Sequence, residues 1–319
     1  MFLGIEIGGT KLQLGLGAGD GNLQALWRGI VEPSEGSEGI RKQIEVAVPQ
    51  VLSRAGLDRT QLAGVGIGFG GPTDDATQTV IKSHQIAGWD GFPLRDWVSD
   101  LVGVPAVLCN DADVAGLGEA MFGAGRGLSP IFYITVGSGI GGGLIIDGQI
   151  YRGVGKGAAE IGHTHVTTTA PDGSAEQATL ESVASGWGIA AQARRHLAES
   201  ANWQTQLRDL PPVEMTAVRI ANEARRGDAF AQFILDLALW GLQQAIRQVS
   251  VLLCPRRVVI GGGVSLMGED LLFKPLRDRV AGQAFEPFRG LTEIVPAALG
   301  EEVVVHGALA LARKQFGSR

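Results

Sequence analysis

The stretch "GIEIGGTKLQLGL" (Gly4–Leu16) sets one carboxylate, Glu6, between apolar neighbours and runs it into Gly8, Gly9, Thr10 and Lys11. Ile5 and Ile7 before the glycines, and Leu12, Leu14 and Leu16 after them, alternate with other residue types, which predicts two strands joined by a tight turn. Paired glycines let an anion approach the backbone N–H groups closely. Thr10 adds a hydroxyl and Lys11 a positive charge, so the turn suits a phosphate. The plainer reading of this segment alone is a β-hairpin carrying a surface lysine.

The chain has 319 residues, long enough for a large core and for two lobes rather than one. Glycine supplies 48 residues, well above the usual ~7%, but without a period and with a hydrophobic fraction of 45%, which excludes collagen and disorder and implies many tight turns. The formal charge of −6, with Lys and Arg scattered, gives no footprint for nucleic acid or an anionic membrane. Two cysteines, Cys109 and Cys254, imply a reducing compartment rather than a disulfide framework. Glu6 and Lys11 arrive too early for a signal peptide. The longest apolar stretch, Asp228 to Leu253, is interrupted by Asp236, Gln243, Gln244 and Arg247, which marks a core helix rather than a membrane span. A soluble, cytoplasmic protein is expected.

The opening pattern returns at "YITVGSGIGGGLIIDGQ" (Tyr133–Gln149), with Thr135 and Ser138 as the hydroxyls, which implies a duplicated architecture. Between the two hairpins the pattern predicts a helix over 37–55, a buried strand "GVGIGFGG" (64–71), a helix near 94–101, a strand "PAVLCN" (105–110) and a helix over 111–123. Beyond the second hairpin, 167–178 reads as a polar loop, followed by helices near 180–197, 216–226 and 229–253, a glycine-terminated strand over 257–265, and a closing helix over 303–315. Alternating strands and helices predict an α/β protein with mixed sheets flanked by helices, one per lobe.

Two sets of glycines, Gly66, Gly68 and Gly71, and Gly137, Gly139 and Gly142, satisfy G-x-G-x-x-G. A dinucleotide-binding fingerprint requires a helix to start at that turn. The first set runs instead into the polar turn Pro72–Asp75 and the second into the strand "LIIDG", which argues against a Rossmann oxidoreductase. "NDADVAGLGE" places Asn110 and Asp111 at a strand-to-helix corner, where open α/β sheets bind ligands, and where a carboxylate can accept a hydroxyl proton. The plainer alternative is that Asp111 only caps its helix. "GAAEIGH" sets Glu160 three residues before His163, and "ATLES" adds Glu181. Together these groups suit a polyhydroxylated ligand, each of whose hydroxyls needs a partner once desolvated.

With those segments in view, the chain resembles the ROK family (repressor, open reading frame, kinase) of sugar kinases, within the two-lobed actin-like ATPase, ribonuclease H-like fold. "IEIGGTK" resembles the first phosphate motif, "GFGGPTD" a looser form of the G-x-P-G-P-x-D segment, and "NDADVAGLGE" the sugar and catalytic motif. "ITVGSGIGGGL" resembles the second phosphate motif, "AAEIGH" and "TLES" the sugar-reading segments, "VVIGGGVS" the adenosine motif, and "HGALALA" the terminal helix that packs back on the amino-terminal lobe. The resemblance implies a smaller lobe of residues 1–110 completed by 303–319, a larger lobe of 111–302, and an active site in the cleft. It implies that Asp111 is the general base taking the proton from the sugar's primary hydroxyl. It further implies that Asn110, Glu160, His163 and Glu181, with Gly71 and Gln85, meet the sugar. Gly8, Gly9, Thr10, Lys11, Thr135, Gly137, Ser138 and Gly139 would cradle the ATP phosphates, and Gly261, Gly262 and Gly263 would approach the adenosine. Catalysis would lie in positioning and in shielding charge with Mg2+, and closure over the sugar would exclude water.

Several features depart from the family pattern. Glu6 stands where the family usually has an aspartate thought to organise magnesium and its waters, a role expected to survive the longer arm. The zinc loop C-x-C-G-x-x-G-C is replaced by "TTTAPDGSAEQATLES", which has no cysteine, and His163 alone cannot hold a zinc that wants four ligands, so no structural zinc is expected. Gln85 falls where many glucokinase-like members carry an asparagine, and Ala159 replaces a common glycine. "AGWDGFPLRDWV" resembles glucokinase-type members most, so the expected activity is ATP-dependent phosphorylation of glucose at the 6-hydroxyl. Fructose, mannose, allose and an N-acetylhexosamine are the alternatives. A catalytically silent sugar-binding regulator is the alternative of another class; the phosphate motif begins within six residues of Met1, which leaves no room for a DNA-binding domain before it. A homodimer is what the resemblance implies.

Overall fold

The computed structural model of the chain describes residues 1–83 and 85–317. The first elements are β1 (Phe2–Ile7), β2 (Lys11–Gly17), β3 (Ala25–Ile30), α1 (Gly36–Ala55), β4 (Gly64–Phe69), the short hairpin β5 (Thr73–Asp74) and β6 (Thr79–Val80), α2 (Leu94–Val102), β7 (Ala106–Asn110) and α3 (Asp111–Phe122). There follow β8 (Ile131–Val136), β9 (Ile140–Ile146), β10 (Gln149–Ile150), β11 (His165–Thr169), β12 (Ala175–Thr179), α4 (Leu180–Ala184), α5 (Gly186–Glu199), α6 (Ala217–Arg225) and α7 (Ala229–Leu253). The chain closes with β13 (Arg257–Gly261), α8 (Lys274–Gly282), β14 (Glu293–Pro296) and α9 (Val303–Phe316).

Contacts divide the chain into two compact units: 1–133, 143–159 and 297–319 in the first, 134–142 and 160–296 in the second. Residues 111–133 and 143–159 therefore cluster with the first unit, whereas the boundary expected at 110–111 assigns them to the second. The reason is α3, which packs on α9 and β4. The last two residues of the expected 303–319 piece lie outside the described residues.

The first unit is built on a sheet of order β3-β2-β1-β4-β7, in which β1 is antiparallel to β2 and parallel to β4. Leu3, Ile5 and Ile7 point into a core shared with Ile40 and Ile44 of α1 and with Trp89. The opposite face of β1 lies under α9, because glycines on that face leave room for a helix backbone. A Cβ at Gly66 would sit 1.9 Å from the Ala308 carbonyl oxygen. Glu6 belongs to this second face, opposite Gln13 on β2 and Gly68 on β4.

The second sheet has the order β10-β9-β8-β13-β14. The division between units passes through β8 and β9, leaving their joining glycine turn in the second unit. Inside that unit α7 is capped by Asp228, whose side chain accepts from the Ala231 N–H at 2.8 Å. It is long and apolar enough to cross a membrane, but two thirds of its most apolar window is buried inside the protein. Three expectations are corrected here. The polar stretch 167–178 is not a loop but most of the β11–β12 hairpin, His165 pairing with Thr179 and Thr169 with Ala175. The helix expected over 180–197 breaks at Ser185, whose hydroxyl accepts from the Gly188 N–H and starts a new helix. The strand expected to reach 265 stops at Gly261, because Gly262 takes φ 86° and turns the chain into a short 3-10 segment.

Candidate active site

In the first unit the Gly8–Lys11 turn closes β1 onto β2, with the Gly8 N–H donating to the Lys11 carbonyl at 3.0 Å. Glu6 is 4% exposed at its base. Lys11 Nζ lies 3.0 Å from Glu6 Oε1, and Gln13 Nε2 donates to Glu6 Oε2 at 2.8 Å. Burial pushes the Glu6 carboxyl above the usual carboxylate range, and Lys11 and Gln13 oppose that rise. A buried carboxylate is tolerable only when paired in this way.

Asn110, rather than Asp111, caps α3: its Oδ1 accepts from the N–H groups of Ala112 at 2.9 Å and Asp113 at 3.3 Å, and its Nδ2 donates to the Gly71 carbonyl at 3.1 Å. The capping duty falls to the neighbour, so Asp111 is the first helical residue. Its carboxylate lies beside Gly70, where a Cβ would stand 3.4 Å from Asp111 Oδ2, 3.3 Å from the Ile7 carbonyl oxygen and 3.5 Å from Gly8 Cα. Gly70 thus lies close to both the Asp111 carboxylate and the start of the Gly8–Lys11 turn, and its N–H donates to the Ile7 carbonyl at 2.8 Å. Gln85 lays its carboxamide against Gly9, so closely that no side chain would fit there. The preceding Cys109 is buried, which pushes its thiol up to about 12 and leaves it no nucleophile at neutral pH.

In the second unit Glu181 accepts from the Ile140 N–H at 2.7 Å through Oε2 and packs on Gly139. The Gly186 N–H donates to the Gly137 carbonyl at 2.8 Å, which binds the start of α5 to the same turn. Glu160 and His163 are exposed at the ends of a short 3-10 segment. Gly162 seats that segment on β9, since a Cβ there would meet the Ile140 carbonyl at 2.2 Å. Ala159, the residue before Glu160, has φ 60°, the left-handed conformation that explains why glycine is common there. Thr135 is half-buried on β8. Gly262 backs onto Val136, so the glycine segments around 137 and 262 adjoin, and Gly137, Ser138 and Gly263 share a pocket of about 760 Å3. Its other walls include Trp187, Val213, Val218 and Leu266, all exposed. Sequence reasoning missed those four; a solvent-facing tryptophan directly after Gly186 was the available signal.

Among the described residues no group of three or more His, Cys, Asp or Glu is placed to hold a metal. A single carboxylate whose oxygens already accept from Lys11 and Gln13 fits an ion such as Mg2+, which keeps several waters and takes phosphate oxygens, rather than a caged one. The hairpin that replaces the cysteine loop is held by hydrogen bonds. Gln244 of α7 accepts from the Thr167 N–H at 2.9 Å and donates to the Thr167 carbonyl at 2.8 Å. Arg195 of α5 pairs with Glu176, its Nη2 lying 3.0 Å from Oε2.

Residues 2–315 match the model of the ROK family. A glucokinase of Halalkalibacterium halodurans is 32% identical over 99% of this chain and 96% of its own length, and one of Thermotoga maritima is 32% identical over 99% and 98%. The crystal structure of a ROK glucokinase from Streptomyces griseus, in complex with glucose and AMPPNP, is 31% identical, covers 98% of this chain and 99% of that one, and superposes with a TM-score of 0.78. A family model that runs from the first strand to the last helix leaves one assignment: the chain belongs to the ROK family.

Proposed function

We propose that this ROK-family sugar kinase transfers the terminal phosphoryl group of ATP to the 6-hydroxyl of glucose. The observation that carries the reading is the neighbourhood of Gly70, where a helix-start carboxylate and the glycine turn after β1 come within contact distance of one point. Full-length likeness to glucokinases supports the choice of sugar.

In this reading Asp111 accepts the proton of the 6-hydroxyl as that oxygen attacks the phosphorus. Asn110, Glu160, His163 and Glu181 pair ring hydroxyls, and Gly71 and Gln85 shape the space beside them. The N–H groups of Gly9 and Thr10, the close backbone approach that Gly8 allows, the Lys11 ammonium, and the Thr135–Gly139 turn hold the phosphate chain. The adenosine lies in the pocket walled by Gly263 and Trp187, which supplies apolar area for a purine. Glu6 would hold Mg2+ through water, and the ion would supply neutralisation of charge on the transferred group. The work of the chain is positioning and electrostatics, as phosphoryl transfer requires. The protein acts as a cytoplasmic homodimer in this reading.

The test is ADP release with Mg-ATP against glucose, fructose, mannose, allose, N-acetylglucosamine and N-acetylmannosamine, beside the Asp111→Asn variant. Glucose is expected to give the highest kcat/KM. The variant should lose about 10²–10⁴-fold in kcat while still binding the sugar. Full turnover by Asp111→Asn would show the base to be another group. Absence of turnover on every sugar, with glucose still raising the melting temperature, would favour a sugar sensor.

A further inference from the structure

The proposed role of Glu6 raises a physical difficulty. Glutamate has one more rotatable bond than aspartate, and a carboxylate meant to orient water around an ion has to be held still. Glu6 Oε1 pairs with the 40% exposed Lys11, and the oxygen held from the interior is Oε2, by Gln13, which is 1% exposed and faces Glu6 across the β1–β2 ladder. Its amide is used on both sides. Nε2 donates to Glu6 Oε2 at 2.8 Å and to the Glu301 carbonyl at 2.8 Å, and Oε1 accepts from Arg28 Nε at 3.1 Å. Arg28 in turn pairs with Glu302, and Lys11 Nζ donates to the same Glu301 carbonyl at 2.9 Å. The bracket therefore joins β1, β2 and β3 to the 300–302 turn ahead of α9, all within the first unit.

We propose that Gln13 is the positioning residue for Glu6, an amide braced by Arg28 and the Glu301 carbonyl that fixes the long carboxylate in the single orientation the metal's water shell needs. This rests on the reading of Glu6 as the magnesium-directing group. A leucine at 13 would fill similar space but leave Glu6 Oε2 without its donor, so the carboxylate would be tied only through Oε1 to the partly exposed Lys11. An aspartate at 6 is one methylene shorter and draws back from Gln13, so the two residues should depend on each other.

The experiment is Mn2+ binding, followed by electron paramagnetic resonance, to the full chain with AMPPNP, for wild type, Gln13→Leu, Glu6→Asp and the double variant. Gln13→Leu should weaken Mn2+ affinity by about tenfold or more, the size typical of outer-shell partners of a metal site. The KM for hexose should stay unchanged. In the Glu6→Asp background the same substitution should cost much less. Equal losses in both backgrounds, or an unmoved Mn2+ affinity in folded Gln13→Leu, would overturn the proposal. Should Gln13→Leu not fold, Gln13→Asn, whose amide is too short to reach both Glu6 and Glu301, carries the same two comparisons. Hexose phosphorylation by the wild type separates the cases. A wild type without it overturns the kinase reading and this one together, whereas an active wild type with an indifferent Gln13 overturns this one alone.

Discussion

Gly70 has no side chain, and the consequence is measurable. A Cβ at this position meets Asp111 Oδ2 and the Ile7 carbonyl oxygen at 3.3–3.4 Å, so a methyl is already tight and a branched side chain has to push one of them aside. Gly70→Val should therefore lower kcat by about 10²-fold, the usual result of a displacement near 1 Å at a reacting group. The overpacking should cost about 1–3 kcal/mol of stability, small enough to leave the fold intact. A folded Gly70→Val enzyme with undiminished kcat would show that Asp111 does not need this neighbour. At this scale the candidate site was legible where residue type stands out: Glu6, Lys11 and Asp111 are conspicuous by their charge in apolar or glycine-rich surroundings, and the structure places all three in the first unit. Gln13 did not, because an alternating strand makes a polar residue look solvent-facing, whereas β2 is buried on both faces.

The β11–β12 hairpin shows what local pattern hides. Thr167, Thr168 and Thr169 favour a strand, but a run of threonines carries no apolar alternation and so reads as a polar loop. The β-branched run, the Asp172-Gly173 turn, with Gly173 at φ 86°, and the clasp from Gln244 make it a hairpin. Gln244 lies 77 residues from Thr167, a separation no periodicity reveals. The same holds for the pocket beside Gly263, whose walls come from segments between 137 and 267. Because Gln244 satisfies both the N–H and the carbonyl of Thr167, two partly buried groups, Gln244→Leu should destabilise the protein by about 1 kcal/mol or somewhat more, the cost of hydrogen bonds left unmade. Hydrogen exchange at 165–179 should quicken most. Chelation is the complementary test: if hydrogen bonds do the work of a metal, EDTA leaves the melting curve where it was. Stoichiometric zinc in protein prepared from metal-free buffer would refute that account.

Each compact unit contains a histidine that resists acid, and the whole chain's response to pH follows from the pair. His196 in α5 lies edge-on to Phe233, with ring centroids 5.1 Å apart, and its Nε2 has no hydrogen-bond partner among the described residues. His306 in α9 packs near Phe122, and its Nδ1 likewise has none. Burial lowers both imidazoles below 6.5, outweighing a backbone hydrogen bond at Thr169 for His196 and the Glu119 carboxylate for His306. A protonated ring would add a charge and an N–H with nothing to receive it. The unfolded chain, whose histidines titrate near 6.5, therefore binds protons that the folded chain refuses. The stabilising contribution is complete above that value and is lost as the pH falls through the depressed folded values. Glu6 acts with the opposite sign. Burial raises its carboxyl above 4.5, so its contribution is complete below that value and lost as the pH rises through the folded one, which offsets part of the acid loss. Stability measured from pH 8 to pH 5 should fall once below about 6.5, and His196→Phe or His306→Phe should each lower the slope, since each deletes one histidine that the unfolded chain protonates more readily than the folded one. If both substitutions leave the slope unaltered, acid sensitivity arises elsewhere in the chain and the two rings are merely packed.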